Sequence, residues 1–246
     1  MRLILVTGTG TDVGKTVVTA AIASCAWRAG ARVAVVKPVQ TGVQPAEPAD
    51  LAEVSRLSGV EDVHEYARFP APLAPASAAR LAGTQAPTIE AMVERIAGLA
   101  DRDVVIVEGA GGALVRFNGA GETLLDLAGA LDRSVGCETV LVAGSGLGTL
   151  NPAGLTAQAF LARGIALRHL VIGCWPAETD LADRCNLIDL PDYAGVPLHG
   201  VLPAGAALEA AGFAELAMRS LTPELGGVLD APDFVKQNYP SPKGRS

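Results

Sequence analysis

The sequence predicts a single α/β domain in which a mostly parallel central sheet is flanked by helices. Three observations predict it: apolar strand-like segments alternate with helix-like ones, a glycine-rich turn joins the first strand to the first helix, and 246 residues are enough for one such core. Half of the residues are hydrophobic but only 4% are aromatic, so the core must be built from Val, Leu, Ile and Ala.

The strand-like segments are Leu3–Thr7, Arg32–Lys37, Asp103–Val107, Thr139–Ala143, Leu167–Ile172 and Leu198–Leu202. Several are unbroken apolar runs, as strands covered on both faces require. Between and after them lie the helix-like stretches Lys15–Arg28, Asp50–Leu57, Ile89–Ala100, Leu124–Ala130, Pro152–Arg163 and Asp180–Leu190. Gly30 and Gly164 are placed to stop the first and fifth of these, and Pro152 suits a first turn with Asn151 as its N-cap. The alternation implies right-handed crossovers, and ligands then gather at the carboxyl ends of the strands. Tyr66 to Pro87 is rich in Pro and Ala without a strand pattern, and is expected to cover one side of the sheet as loops and a short helix. The domain is expected to span residues 1–232, with 233–246 a loosely ordered polar tail.

Lys and Arg total 19 against 26 Asp and Glu, a net charge of −7, which argues against broad nucleic-acid binding. No apolar run reaches the roughly 18–20 residues that a membrane span needs, and Met1-Arg2 leads straight into a strand rather than a signal peptide. Cys25, Cys137, Cys174 and Cys185 are widely spaced and form no Cys-x-x-Cys pair, and His64, His169 and His199 form no zinc-like cluster. A cytoplasmic protein with reduced cysteines is expected.

Gly8-Thr-Gly-Thr-Asp-Val-Gly-Lys-Thr16 is a phosphate-binding loop, and with it the fold becomes P-loop NTPase-like. A buried strand ends, glycines let the backbone fold round an anion, and amides of the turn and helix N-terminus point at phosphate oxygens. Lys15 then reaches the β- and γ-phosphates, and the Thr16 hydroxyl serves Mg²⁺. The spacing is a variant, because Thr9 stands where the common pattern has its first glycine.

Three further positions lie at strand ends. Lys37 closes the second strand, ahead of Pro38-Val-Gln-Thr41-Gly42. It is either a solvated strand-end lysine or a cation facing the phosphate loop, where it would stabilise charge during phosphoryl transfer. Asp103-Val-Val-Ile-Val107 runs into Glu108-Gly-Ala-Gly-Gly112, and a carboxylate there completes a Mg²⁺ shell begun by Thr16. Leu147-Gly-Thr-Leu-Asn151 opens a helix whose first amides suit a carboxylate, although an ordinary Asn cap explains it equally well. Asp50 reads from the sequence as a helix cap.

Together, Gly8–Thr16, Lys37-Pro-Val-x-x-Gly42, Glu108-Gly-Ala-Gly-Gly112 and Leu147-Gly-x-Leu-Asn151 resemble the dethiobiotin synthetase family, in order and spacing, from residue 2 to about residue 205. The odd loop fits that family's Gly-Thr-x-Thr-x-x-Gly-Lys-Thr pattern. The resemblance implies ureido-ring closure from 7,8-diaminononanoate, CO₂ and a nucleoside triphosphate, through a carbamate and a carbamic-phosphoric anhydride. It implies that Lys15, Lys37 and Thr11 act on the reacting groups. It implies that Asp12, Val13, Gly14, Lys15, Thr16, Val17, Glu108, Gly109, Ala110 and Gly111 hold the nucleotide. It raises Asp50 to a Mg²⁺ ligand with Thr16 and Glu108, and makes Thr41 a substrate contact. It further implies a homodimer, in which Thr149, Leu150 and Asn151 of the partner subunit bind the substrate carboxylate.

Two positions depart from the family. Many relatives carry Asn-Asp where this chain has Gly173-Cys174, so the base is expected to be read by backbone, with Pro203, Ala204 and Gly205 closing over it. CTP or GTP is then expected to compete well with ATP. Gly146 stands where some relatives have a Lys before the Leu-Gly-x-Leu-Asn motif. The rival from another class is a nucleotide-switch ATPase of the ParA/MinD type, which would need a basic surface or basic amphipathic helix. Glu209–Leu221 is Ala-rich with a single Arg and does not supply one. A cobyrinate-type synthase would need a glutamine-hydrolysing domain for which no length remains.

Overall fold

A computed structural model describes residues 1–206 and 210–240. In chain order the elements are β1 (Arg2–Gly8), α1 (Lys15–Arg28), β2 (Val33–Lys37), β3 (Gln40–Thr41), α2 (Asp50–Ser58), β4 (Val63–Glu65), β5 (Arg68–Phe69), α3 (Pro75–Leu81) and α4 (Ile89–Ala97). They continue as β6 (Val104–Gly112), α5 (Leu124–Val135), β7 (Glu138–Ala143), α6 (Leu150–Ala162), β8 (His169–Trp175), α7 (Leu181–Ala194), β9 (Leu198–Pro203), α8 (Phe213–Ser220) and α9 (Ala231–Asn238).

The main sheet has seven strands in the order β4-β2-β6-β1-β7-β8-β9, and its ladders are parallel. Alternation along the strands builds the two helical layers. Ile4 and Val6 of β1 join Val18 and Ile22 of α1, Val54 of α2 and Phe213 of α8 in one core. Leu3 and Leu5 face the other way, into a core with Met92 and Ile96 of α4 and Leu127 and Leu131 of α5. On that same second face, Leu170 and Ile172 of β8 pack with Leu187 and Leu190 of α7. Because β1 is central and buried on both faces, the loop that leaves it opens at the middle of the sheet's carboxyl edge.

The expected strands are all present, and α1 has its expected limits. The short strands β3, β4 and β5 went unseen because two or three residues carry no period. Helix α7 was expected to stop at Leu190, yet it runs through Pro191 to Ala194. Leu187, Leu190 and Ala194 bury one face against the sheet, and that packing outweighs the lost backbone bond. The N-cap of α6 is Thr149 rather than Asn151, and the helix begins at Leu150, two residues earlier than Pro152 suggests. Asp50 is likewise not a cap: Ala49 holds that position and Asp50 is the first helical residue of α2.

The loose tail expected from residue 233 is corrected over its first part. Residues 231–238 form α9, with Asp230 as N-cap accepting from the Asp233 amide. Phe234 meets Trp175 edge-on, 5.7 Å between ring centroids. A short helix with few apolar residues gives little periodic signal, and it is the aromatic contact that anchors it. Residues 241–246 of the expected tail, and Glu209, lie outside the described residues.

Candidate functional site: a phosphate loop facing a buried lysine–carboxylate cluster

The phosphate loop follows β1. Gly14 caps α1 at φ +92°, and a Cβ there would stand 2.3 Å from the Gly173 carbonyl oxygen. A Cβ on Gly173 would stand 2.2 Å from the Val13 carbonyl oxygen, so the loop rests directly on the backbone of β8 and both positions require glycine. Asp12 also has positive φ, 59°, a conformation that Asp tolerates better than most residues. No side chain caps α1, which leaves its first amides for an anion. The Lys15 ammonium folds back to donate to the Gly10 carbonyl, at 2.7 Å.

Strand register brings the remaining charges together. Val36 of β2 lies opposite Val107 of β6, so Lys37 and Glu108 follow side by side, on the α1 face of the sheet. Asp50 reaches them from the first turn of α2 and Thr16 from the first turn of α1. The Lys37 ammonium donates to Glu108 Oε1 at 2.7 Å and to Asp50 Oδ2 at 2.6 Å, and lies 3.3 Å from the Gly109 carbonyl. The Thr16 hydroxyl donates to the same Glu108 Oε1 at 3.0 Å. Glu108 Oε2 is buried without a hydrogen-bond partner among the described residues.

Lys37 is only 3% exposed and Glu108 only 1%. Burial acts to lower the Lys37 pKa, but the Glu108 and Asp50 carboxylates overcome it and hold the ammonium above its ordinary value. Lys15 goes the other way: burial lowers its pKa first, and the charge of Lys37 lowers it further. Two cations of unequal acidity therefore share one cleft. The solvated alternative for Lys37 is excluded.

The cleft measures about 780 Å³. Of the expected residues, Thr11, Asp12, Gly14, Lys15, Thr16, Val17, Lys37, Thr41, Asp50, Glu108, Ala110 and Gly111 line it. Gln40, the Pro72-Leu73-Ala74-Pro75 segment and Val115 line it too, and were not foreseen. Gln40 lies inside the Lys37–Gly42 motif, where its position was the available signal. The proline segment read only as cover. Gly42, at φ +80°, lets Pro72 approach to where a Cβ would be 3.3 Å away.

Other expected residues lie outside that lining. Val13 packs on the core beside α1, and Gly109 presents its carbonyl to Lys37 while Leu124 occupies the space a Cβ would need. Gly173 is buried under the loop, whereas Cys174, Pro203, Ala204 and Gly205 are exposed at the carboxyl ends of β8 and β9. The Ala204 amide donates to the Trp175 carbonyl at 2.7 Å, which joins those ends. Thr149, Leu150 and Asn151 stand at the start of α6, with Asn151 exposed.

A parallel sheet with a phosphate loop after its central strand, and an acidic residue and a lysine at the ends of the next two strands on one side, defines a P-loop nucleotide-binding domain. The cell-division ATPase MinD of Pyrococcus furiosus has this fold, with a TM-score of 0.56 over 96% of each chain, but at 18% identity the likeness is one of fold alone. A family model described as an AAA domain matches residues 2–211. The ATP-dependent dethiobiotin synthetase BioD of Frankia casuarinae is 53% identical over 236 residues, 95% of this chain and 98% of its own. The protein of the same name from Streptomyces coelicolor is 52% identical, over 98% of this chain and all of its own length. The chain belongs to the ATP-dependent dethiobiotin synthetase family.

Proposed function

We propose that this protein closes the ureido ring of dethiobiotin, joining 7,8-diaminononanoate and CO₂ at the expense of a nucleoside triphosphate. The observation that carries the reading is the buried Lys37–Glu108–Asp50 cluster facing the phosphate loop across one cleft. In the reaction, one substrate amine adds to CO₂ and loses a proton, giving a carbamate. A carbamate oxygen attacks the γ-phosphorus and the nucleoside diphosphate departs. The second amine attacks the carbonyl carbon of the mixed anhydride, and phosphate leaves as the ring closes.

Each step concentrates negative charge where this chain holds ammonium groups. The amides of the loop and the first turn of α1 cradle the phosphates, with Asp12 to Val17 forming the wall. Lys15 leaves its resting contact with Gly10 to meet the β- and γ-phosphates. Lys37 stays anchored by two carboxylates, a preorganised cation for the carbamate oxygen and the transferring phosphoryl group. Thr11 and Thr41 contact the reacting end of the substrate. No protein nucleophile is required, since holding the reactants in line supplies the rate.

Mg²⁺ fits the residues present. Thr16, Asp50 and Glu108 offer hard oxygen donors, and the orphaned Glu108 Oε2 is a buried acceptor in need of a partner. Held there, Mg²⁺ would neutralise charge on the triphosphate.

Thr149, Leu150 and Asn151 do not line their own chain's cleft. That favours a homodimer in which the helix N-terminus that carries Thr149, Leu150 and Asn151 in the partner subunit receives the substrate carboxylate. Leu147, 92% exposed beside them, offers apolar surface that a second copy would cover. The base is read by backbone at the exposed ends of β8 and β9, Cys174 and Pro203 to Gly205, above the buried Gly173, so CTP and GTP compete with ATP. Among the described residues no helix is long and apolar enough to cross a membrane, in keeping with a cytoplasmic site of action.

Incubation with the diamine, bicarbonate, Mg²⁺ and each nucleotide in turn should yield dethiobiotin. A folded protein that makes none with any nucleotide would overturn the function, and strict preference for ATP would overturn the base reading. Full activity from a strictly monomeric species would overturn the dimer.

A further inference from the structure

The loop between β7 and α6 carries the Leu147–Asn151 motif, and it is tied to α7, a helix that does not line the phosphate-loop cleft. The Asn186 side-chain amide donates to the Ser145 carbonyl at 2.5 Å and to the Gly146 carbonyl at 3.2 Å. The Ser145 hydroxyl donates to Asp183 Oδ1 at 2.6 Å. Asp183 Oδ2 accepts the Asp180 amide at 2.9 Å, which locks the carboxylate into the capping box of α7. Asp183 and Asn186 are three residues apart, so they point from one face of α7. Ser145, Asp183 and Asn186 are all buried, where polar groups are kept only if bonded.

From the other side, the Thr149 hydroxyl donates to the Gly144 carbonyl at 2.8 Å, and the Thr149 amide to the Gly146 carbonyl at 3.3 Å. The carbonyls of Gly144, Ser145 and Gly146 are thus all engaged, and only the tip, Leu147 and Gly148, projects freely. The Thr149 hydroxyl and amide are occupied within the loop. Carboxylate recognition then falls on the first-turn amides of Leu150 and Asn151 and on the Asn151 side chain.

We propose that Asn186, and Asp183 acting through Ser145, are positioning residues that set the angle at which the N-terminus of α6 is offered to the carboxylate of the amino-acid substrate. This rests on the substrate reading above. Packing alone does not explain the cluster. It is a polar network spent on one loop, and the loop's only exposed product is the motif that substrate binding requires.

The test is steady-state kinetics on the intact protein with diamine and nucleotide varied separately, for Asn186→Ala, Ser145→Ala and Asn151→Ala. Loss of the tie should raise the diamine KM about tenfold, the worth of one buried hydrogen bond, while kcat and the nucleotide KM stay within about twofold. Asn186→Ala added to Asn151→Ala should raise the diamine KM little further, because both act through one contact. Ser145→Ala removes a single hydroxyl, and keeps the test decisive if Asn186→Ala fails to fold. Equal shifts in nucleotide and diamine KM, or strictly additive effects, would overturn the positioning role. So would a diamine KM that rises in Asn151→Ala but in neither other variant. A diamine KM unmoved by Asn151→Ala would instead overturn the carboxylate site itself.

Discussion

The central strands carry a charged cluster at each end, and the two are built differently. At the carboxyl edge, Lys37, Glu108, Asp50 and Thr16 are drawn from two strands and two helix starts and are sealed into the fold. At the amino edge, roughly 20 Å away along β1, Arg2 pairs with Glu138 at 2.7 Å, and Glu138 lies 3.2 Å from His169 Nε2. His169 Nδ1 in turn lies 3.0 Å from His199 Nδ1. The Arg2 and Glu138 side chains are about a third exposed. The second cluster ties together β1, β7, β8 and β9 and does not line the phosphate-loop cleft. Burying charge is costly unless it is paired. The first cluster bears that cost while leaving Glu108 Oε2 unpaired beside an opening, and the second keeps its charged pair, Arg2 and Glu138, partly solvated and encloses only imidazoles. An unpaired acceptor at a cleft marks chemistry, and a partly solvated ion pair backed by imidazoles marks architecture.

The largest expected effect separates the two directly. Lys37→Met should lower kcat/KM by roughly 10²–10³-fold. It should also cost about 3–5 kcal/mol of stability, because Glu108 is left buried without its cation. Arg2→Met, the matched change at the other end, should leave kcat/KM intact. Activity assays with urea unfolding of both variants read this out. A Lys37→Met enzyme retaining most of its activity would make the carboxyl-edge cluster architectural as well.

Next in size is Gly173→Ala. Its methyl would meet the Val13 carbonyl and force the phosphate loop off β8, at about 1–3 kcal/mol of stability. Nucleotide affinity should fall with it. Nucleotide titration of the variant checks this, and unchanged affinity would show that the loop does not depend on its seat.

How far such a contrast could be read from the chain depended on the range of the signals. Local signals carried well: the alternating apolar runs specified the main strands, and Gly-Lys-Thr specified where α1 begins. Lys37 and Glu108 were visible as strand-end charges, but their pairing depends on the β2–β6 register, which links residues some 71 positions apart. Asp50 looked like a cap because sequence shows only its own helix, and not the lysine across the gap. The Asn186 ties to the loop before α6 were invisible for the same reason. Strands of two residues and a short α9 were missed because their stability comes from partners, such as Trp175 under Phe234, rather than from any pattern of their own.

The smallest expected effect belongs to the amino edge and concerns pH. With both imidazoles neutral, as at neutral pH, His169 Nε2–H donates to the Glu138 carboxylate and His169 Nδ1 accepts from His199 Nδ1–H. Burial, aided for His169 by its neighbour His199, holds both pKa values below the ordinary 6.5, with Glu138, Arg2 and Glu224 the charged groups around them. In the unfolded chain both imidazoles protonate near 6.5, so there the unfolded state binds more protons than the folded one. The contribution is fully present above that pH and is lost as pH falls from 6.5 towards the folded values. Glu138, held below 4.5 chiefly by Arg2, gives way only at lower pH. Melting temperature should thus decline between about pH 6.5 and 5, and the decline should flatten in a His169→Leu, His199→Leu double variant. Activity at fixed neutral pH should not follow it. A wild-type melting temperature that stays level across that window would show that the imidazoles titrate alike in both states, and the amino-edge cluster would then be a plain salt bridge.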